Sequence, residues 1–185
     1  MSLVSNGPDF GITGRNSDAG ELIRAASERG LRVVLAESCT AGLAASLLAE
    51  VSGASRVLWG SYVTYTPDAK KSMIGLNPVI LEKYGVVSRE TALAMAEGAL
   101  KGSGADIAAS VTGLAGPDGD GSGKPVGTVF IAGVRRAGGP AETREYHFTG
   151  TRNGIRRAAA GELIALLLRM TAAAAGETGM TALPG

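Results

Sequence analysis

Residues 31–42 read Leu31-Arg32-Val33-Val34-Leu35-Ala36-Glu37-Ser38-Cys39-Thr40-Ala41-Gly42, and Leu43-Ala44-Ala45-Ser46-Leu47-Leu48-Ala49-Glu50-Val51 follows directly. The first part, 31–36, is an apolar run of strand length. In the last part Leu43, Leu47, Leu48 and Val51 recur at helical spacing. Small polar residues, Glu37 to Gly42, fill the turn between them. A strand passing through a tight turn into a helix is the repeating unit of an α/β fold. The turn also poses a chemical question. Ser38 is either a helix N-cap, a position serine favours, or a nucleophile at the carboxyl end of a strand, where α/β sheets gather their ligands.

The same alternation extends outward from this stretch. Residues 20–29 predict a helix with Leu22, Ile23 and Ala26 on one face and a stop at Gly30. Residues 56–65 are β-branched and aromatic, and predict a strand. Thr66-Pro67 and Asn77-Pro78 each place an N-cap before a proline at the first helical position, and the second helix ends near Gly85. Ser88 caps a helix over 89–102. Residues 106–112 predict a strand of small side chains suited to the sheet centre. A long glycine-rich loop covers 113–127, and such loops inside compact domains are usually functional or disordered. Strands at 128–135 and 142–149 form a hairpin, and a helix runs from about 153 to 175. The pattern predicts an α/β fold: a three-layer α/β/α sandwich with a mixed, mostly parallel central sheet containing an antiparallel strand. Residues 1–18 are expected to be a loose N-terminal arm, 19–176 a single domain and 177–185 a frayed tail.

Composition narrows the function classes. With 185 residues and 45% apolar content the chain is long enough for one domain with a sizeable core. Aromatics are only 4%, so that core is built from Ala, Val, Leu and Ile. The net charge of +1, with basic residues spread along the chain, argues against an electrostatically driven nucleic-acid partner. One cysteine, Cys39, precludes an intrachain disulfide and fits a reducing, cytoplasmic setting. One histidine, His147, rules out His/Cys metal clusters, though not a carboxylate site. No membrane span and no signal-peptide segment are expected.

Four positions carry candidate chemistry. Cys39 is a possible alternative nucleophile, although a thiolate enzyme usually needs a histidine base; a small buried residue is its other reading. A base for Ser38 is either His147 or a lysine. Lys70 stands near the start of the helix capped by Thr66, where a cation opposes the helix dipole. Lys71 beside it adds like-charge repulsion, burial beneath substrate would add desolvation, and these effects favour the neutral amine that a general base requires. Asp68 acts the other way, and an ordinary solvated lysine is the alternative. Thr112 and the glycines after it, Gly113 and Gly116, leave a strand end where backbone N–H groups can approach a ligand closely. Thr151-Arg152-Asn153 precedes the last helix and offers either a phosphate site or a cap with a solvated arginine.

The segments AESCTAG, SYVTYTPDAKKSMIG, YGVVSRETALAMAEGAL, SVTGLAGPDG, KPVGTVFIA and FTGTRNGIRRAAA, in this order and spacing, resemble the CinA C-terminal domain family. That family includes the stand-alone nicotinamide-nucleotide amidases (PncC-type NMN deamidases). The resemblance runs from about residue 20 to 172. The family usually has two glycines after the threonine of the turn, and Ala41 replaces the first. Larger members carry an additional N-terminal domain resembling molybdopterin-binding proteins, which 185 residues are too few to include. The resemblance implies hydrolysis of the carboxamide of nicotinamide mononucleotide to nicotinic acid mononucleotide and ammonia, with no metal or organic cofactor. It maps the family's serine–lysine dyad to Ser38 and Lys70, and its active-site tyrosine to Tyr65. Its strand-end ligand contact maps to Thr112, followed by Gly113 and Gly116, and its phosphate-contacting arginine to Arg152. It also implies a homodimer or higher homo-oligomer, with no membrane partner. A catalytically weak nucleotide-sensing or protein-interaction module, linked to competence or DNA-damage response, is the alternative reading. A histidine-dependent esterase is a third, and it requires His147 near Ser38.

Overall fold

A computed structural model describes residues 15–173, with side chains from Asp18 onward. The expected N-terminal arm up to residue 14 and the expected tail lie outside the described residues. Five strands, β1 (Val33–Glu37), β2 (Leu58–Val63), β3 (Ile107–Gly113), β4 (Thr128–Arg135) and β5 (Glu142–His147), form one sheet in the order β2-β1-β3-β4-β5. β1 pairs in parallel with β2 and with β3, while β4 is antiparallel to both β3 and β5. Four strands therefore run one way and β4 alone runs against them, as the late hairpin requires.

Among the described residues six α-helices cover the sheet: α1 (Arg15–Glu28), α2 (Leu43–Ala49), α3 (Pro67–Ile74), α4 (Pro78–Tyr84), α5 (Arg89–Lys101) and α6 (Arg152–Ala173). The period-2 alternation of the strands divides the core between the two faces. Val33 and Leu35 of β1, Ile107 and Ala109 of β3, and Ile131 of β4 pack with α1, α2 and α6. Val34, Ala36 and Ala108 point the other way and pack with α3 and α5. β1 is buried at every position, as a parallel strand with helices on both sides should be. The small side chains of β3 let α5 approach closely, and the Ser110 hydroxyl donates to the Ala92 carbonyl.

Three expected caps form. The side chains of Thr66, Asn77 and Ser88 accept from the backbone N–H groups of Ala69, Val79 and Thr91, each worth about 1 kcal/mol. Helix α1 begins at Arg15, upstream of the expected start at residue 20 and inside the arm expected to be loose. Arg152 is the first residue of α6 rather than part of a segment before it, and Thr151 Oγ1 accepts from Gly154 N at 3.2 Å.

Because β1, β2 and β3 are parallel, their carboxyl ends emerge along one edge of the sheet. The turn after β1, the segment leading from β2 into α3, and the loop after β3 meet there.

Candidate active site

The turn after β1 answers the capping question first. Ser38 does not cap α2. The N-cap of α2 is Gly42, which has no side chain, and the capping acceptor comes from Glu37 instead. The Glu37 side chain is fully buried, and its carboxylate accepts from Ala44 N at 3.1 Å, Ala45 N at 3.0 Å and the Ser61 hydroxyl at 3.1 Å. A carboxylate at this helix start satisfies two orphan amides and meets the positive end of the dipole. The α2 N-terminus is thus occupied from within and is not available for a ligand anion.

Ser38 is left for other work. Its backbone N–H donates to Val111 O at 3.0 Å, which fixes the turn against β3. Its hydroxyl lies 2.9 Å from Lys70 Nζ. Lys70 reaches it from one turn inside α3 and is 1% exposed. A second contact, Nζ to the Thr64 carbonyl at 2.7 Å, orients the amine. Burial lowers the Lys70 pKa to about 8, because a desolvated ammonium is disfavoured, while Cys39 acts weakly against this shift. The order of causes differs from the sequence-based expectation, because burial by the protein itself leads. Lys71 does not repel Lys70 significantly: it is paired with Asp68 at 2.6 Å on the solvent side, and that pairing lowers the Asp68 pKa.

The competing nucleophile and base fall away. Burial pushes the Cys39 thiol up to about 12, so it stays protonated at ordinary pH. His147 stands on the edge strand β5, separated from β1 by β3 and β4, a distance of roughly 14 Å at ordinary strand spacing. There it lies exposed, with Nε2 3.3 Å from Glu145 Oε1. The histidine-dependent esterase reading is therefore corrected: the only histidine lies at the far edge of the sheet.

A cavity of about 250 Å³ opens over the Ser38–Lys70 contact, and Tyr65, Thr112, Gly113, Gly116 and Arg152 all line it. The predicted residues thus converge from five separate segments. Thr112 is 1% exposed and its hydroxyl donates to Val86 O at 2.7 Å, so it fastens the segment before α5 to the cavity wall. Gly113 has a packing reason for its identity: a Cβ there would come within 2.8 Å of Val129 Cγ2, Thr128 O and Val129 Cα. Arg152 donates to the Gly116 carbonyl, and to Tyr65 Oη at 2.9 Å. It bridges the ends of β2 and β3 across the mouth, and leaves a cation facing the cavity.

Two further residues escaped the sequence reading. Glu37 is one. The other is Arg156, one turn into α6, whose guanidinium donates to Cys39 O at 3.2 Å, Thr40 O at 2.9 Å and Asn153 Oδ1 at 3.2 Å. A local signal existed for Glu37, a carboxylate seven positions before the helix amides it caps. None existed for the bonds of Arg156 to the turn, because Cys39 and Thr40 lie more than a hundred residues away.

A family model described as "CinA C-terminal domain" matches residues 16–171. The chain belongs to this family. A CinA-like protein of Syntrophomonas wolfei is 44% identical over 140 residues, covering 76% of this chain and 33% of the relative. A putative competence-damage inducible protein of Symbiobacterium thermophilum is 45% identical over 155 residues, covering 79% of this chain and 36% of the relative. The chain thus spans about a third of the length of these curated relatives. Solved structures agree in fold. The competence/damage inducible protein CihA of Agrobacterium tumefaciens superposes with a TM-score of 0.82 at 40% identity, covering 92% of this chain and 99% of that one. A CinA superfamily protein of Escherichia coli gives 0.81 at 29% identity, with the same coverage of the two chains. No helix among the described residues is long and apolar enough to cross a membrane.

Proposed function

We propose that this domain is an amidohydrolase that converts nicotinamide mononucleotide to nicotinic acid mononucleotide and ammonia through a Ser38–Lys70 dyad. The observation that carries the reading is the 2.9 Å contact between a serine hydroxyl and a fully buried lysine amine whose pKa is lowered to about 8. A lysine without a carboxylate partner is a costly thing to bury, and general-base chemistry is a use for the neutral amine so produced.

In the neutral state the lone pair of Lys70 Nζ accepts the Ser38 proton while one N–H remains on the Thr64 carbonyl. The Oγ–C bond forms, and the amide oxygen takes the electron pair as a tetrahedral oxyanion. Collapse breaks the C–N bond, and the Lys70 ammonium returns its proton to the departing nitrogen as ammonia. Water then attacks the ester, Lys70 again takes a proton, and the Oγ–C bond breaks to regenerate Ser38. In this reading Arg152, at the cavity mouth, holds the phosphate by a charge-assisted contact. The Tyr65 hydroxyl, which accepts from Arg152, holds that guanidinium at the mouth. A cavity of about 250 Å³ accepts a small-molecule headgroup rather than a polymer.

The test is ammonia release from nicotinamide mononucleotide by the purified protein and by Ser38→Ala. The wild type should release ammonia with matching nicotinic acid mononucleotide, and the variant should lose at least about 10⁴-fold in rate. Binding of the nucleotide without release would instead support a nucleotide-sensing module.

A further inference from the structure

The dyad supplies a nucleophile and a base, but an amide hydrolase also needs a donor for the developing oxyanion. In the turn after β1 that donor and its orientation can be traced bond by bond. Arg156 Nη2 donates to Thr40 O at 2.9 Å. The Thr40 carbonyl shares a peptide unit with Ala41 N–H, which donates to Ser38 O at 3.1 Å. The Ser38 carbonyl in turn shares a peptide unit with Cys39 N–H. A trans peptide is planar and points its N–H opposite to its C=O. The two peptides therefore line up head to tail, with a guanidinium at one end and the Cys39 N–H at the other. That N–H has its own Cys39 sulfur as its one protein acceptor among the described residues, a contact that leaves it able to donate to a ligand oxygen, and Cys39 lines the cavity beside Ser38. Nε of the same guanidinium holds Cys39 O at 3.2 Å, fixing the next peptide as well.

We propose that Arg156 is a positioning residue for the oxyanion hole: through the Thr40–Ala41 and Ser38–Cys39 peptides it aims and polarises the Cys39 N–H at the oxygen of the tetrahedral intermediate. Hydrogen bonds in such a chain strengthen one another, and the cation at its head adds to the polarisation. Arg156 itself does not touch the substrate. The bonds it makes to Cys39 and Thr40 cross from α6 to the turn, so the helix that begins with Arg152 serves both the mouth of the cavity and its floor. The inference rests on Ser38 being the nucleophile, and the experiment below separates the two.

A fluorophosphonate probe reports on the same donor without depending on the substrate. Ser38 Oγ attacks phosphorus, fluoride leaves, Lys70 takes the hydroxyl proton, and the phosphoryl oxygen sits where the oxyanion would. Labelling of the wild type at Ser38, followed by mass spectrometry, is expected. Arg156→Ala should label about 10- to 100-fold more slowly, less than the full loss of an oxyanion donor. Arg156→Lys, which keeps the charge but not two parallel donors, should fall between them. Millimolar guanidinium, far below denaturing levels, should restore much of the Arg156→Ala rate, which a merely structural defect would not allow. With nicotinamide mononucleotide the loss should appear in kcat with KM little changed. A labelled wild type and an equally labelled Arg156→Ala would overturn the proposal, as would a slow variant that guanidinium does not rescue. A wild type that is not labelled at Ser38 would overturn the nucleophile assignment, and the proposal with it.

Discussion

Two segments leave the carboxyl ends of neighbouring strands, and they are built in opposite ways. The turn after β1, residues 38–42, is tied down from every side. Ser38 N is held by Val111 O, Ala41 N by Ser38 O and Leu43 N by Thr40 O, while Glu37 and Arg156 grip the turn from its two flanks. The loop after β3 is exposed from Pro117 to Gly123. Its side-chain contacts there are local, Ser122 N to Asp120 Oδ1 and Lys124 N to Ser122 Oγ. A Cβ on Gly121 or Gly123 would meet nothing within 4 Å. Under the proposed function, the difference separates two jobs. Bond making needs reacting atoms fixed to within a fraction of an ångström, and the first segment supplies that. Covering a flexible ligand needs room, and the second segment has it.

Cutting the tie that anchors the loop after β3 gives the largest effect on substrate binding. Arg152 ties the Gly116 carbonyl to Tyr65 and is the proposed phosphate contact. Arg152→Ala should raise KM for nicotinamide mononucleotide by about 10- to 100-fold, the worth of a charge-assisted hydrogen bond. Steady-state assays on the mononucleotide and on nicotinamide riboside check this. The riboside, without a phosphate, should be nearly unaffected; an equal loss on both would make Arg152 structural only.

Loosening the rigid segment from below comes next. In Glu37→Gln, one amide of α2 faces an NH₂ group instead of an oxygen. Urea unfolding should show a loss of about 1–3 kcal/mol, together with a lower kcat as the turn relaxes. Unchanged stability would mean that the α2 amides are satisfied by other means.

The smallest effect should be a gain. Ala41 is the described non-glycine residue at positive φ, +51°. Left-handed backbone costs an L-residue with a Cβ about 1–2 kcal/mol, part of which glycine returns through its more flexible unfolded state. Ala41→Gly should stabilise the protein by about 0.5–1 kcal/mol without loss of rate. A drop in melting temperature would contradict the idea that the turn is strained at this residue.

Much of this organisation is legible in the sequence, for a physical reason. Strand and helix periods, proline at N1 and the capping residues Thr66, Asn77 and Ser88 are local signals, and they fall where expected. Ser38, Lys70, Thr112 and Arg152 stand out as candidates from the residues themselves and Tyr65 from the family resemblance alone; the structure brings all five to one cavity. What was not legible depends on distant packing. For the low pKa of Lys70 the sequence puts the helix start and Lys71 first and desolvation beneath substrate second, whereas burial by the protein itself is the leading cause, and burial is a property of the folded core. Glu37 was passed over because serine is the commoner cap. Arg156 meets Cys39 and Thr40 only after the whole sheet has formed between them.

The central claim is that a neutral lysine deprotonates Ser38, and the pH dependence of kcat/KM for wild type and Lys70→Arg tests it most directly. A base must lose its proton before attack, so the wild-type rate should rise with pH through a midpoint near 8, the lowered value of Lys70. A guanidinium keeps its proton throughout that range. Lys70→Arg should therefore be nearly inactive at every pH, with no rising limb. A flat wild-type profile from pH 6 to 10, or near-normal turnover by Lys70→Arg, would contradict the dyad.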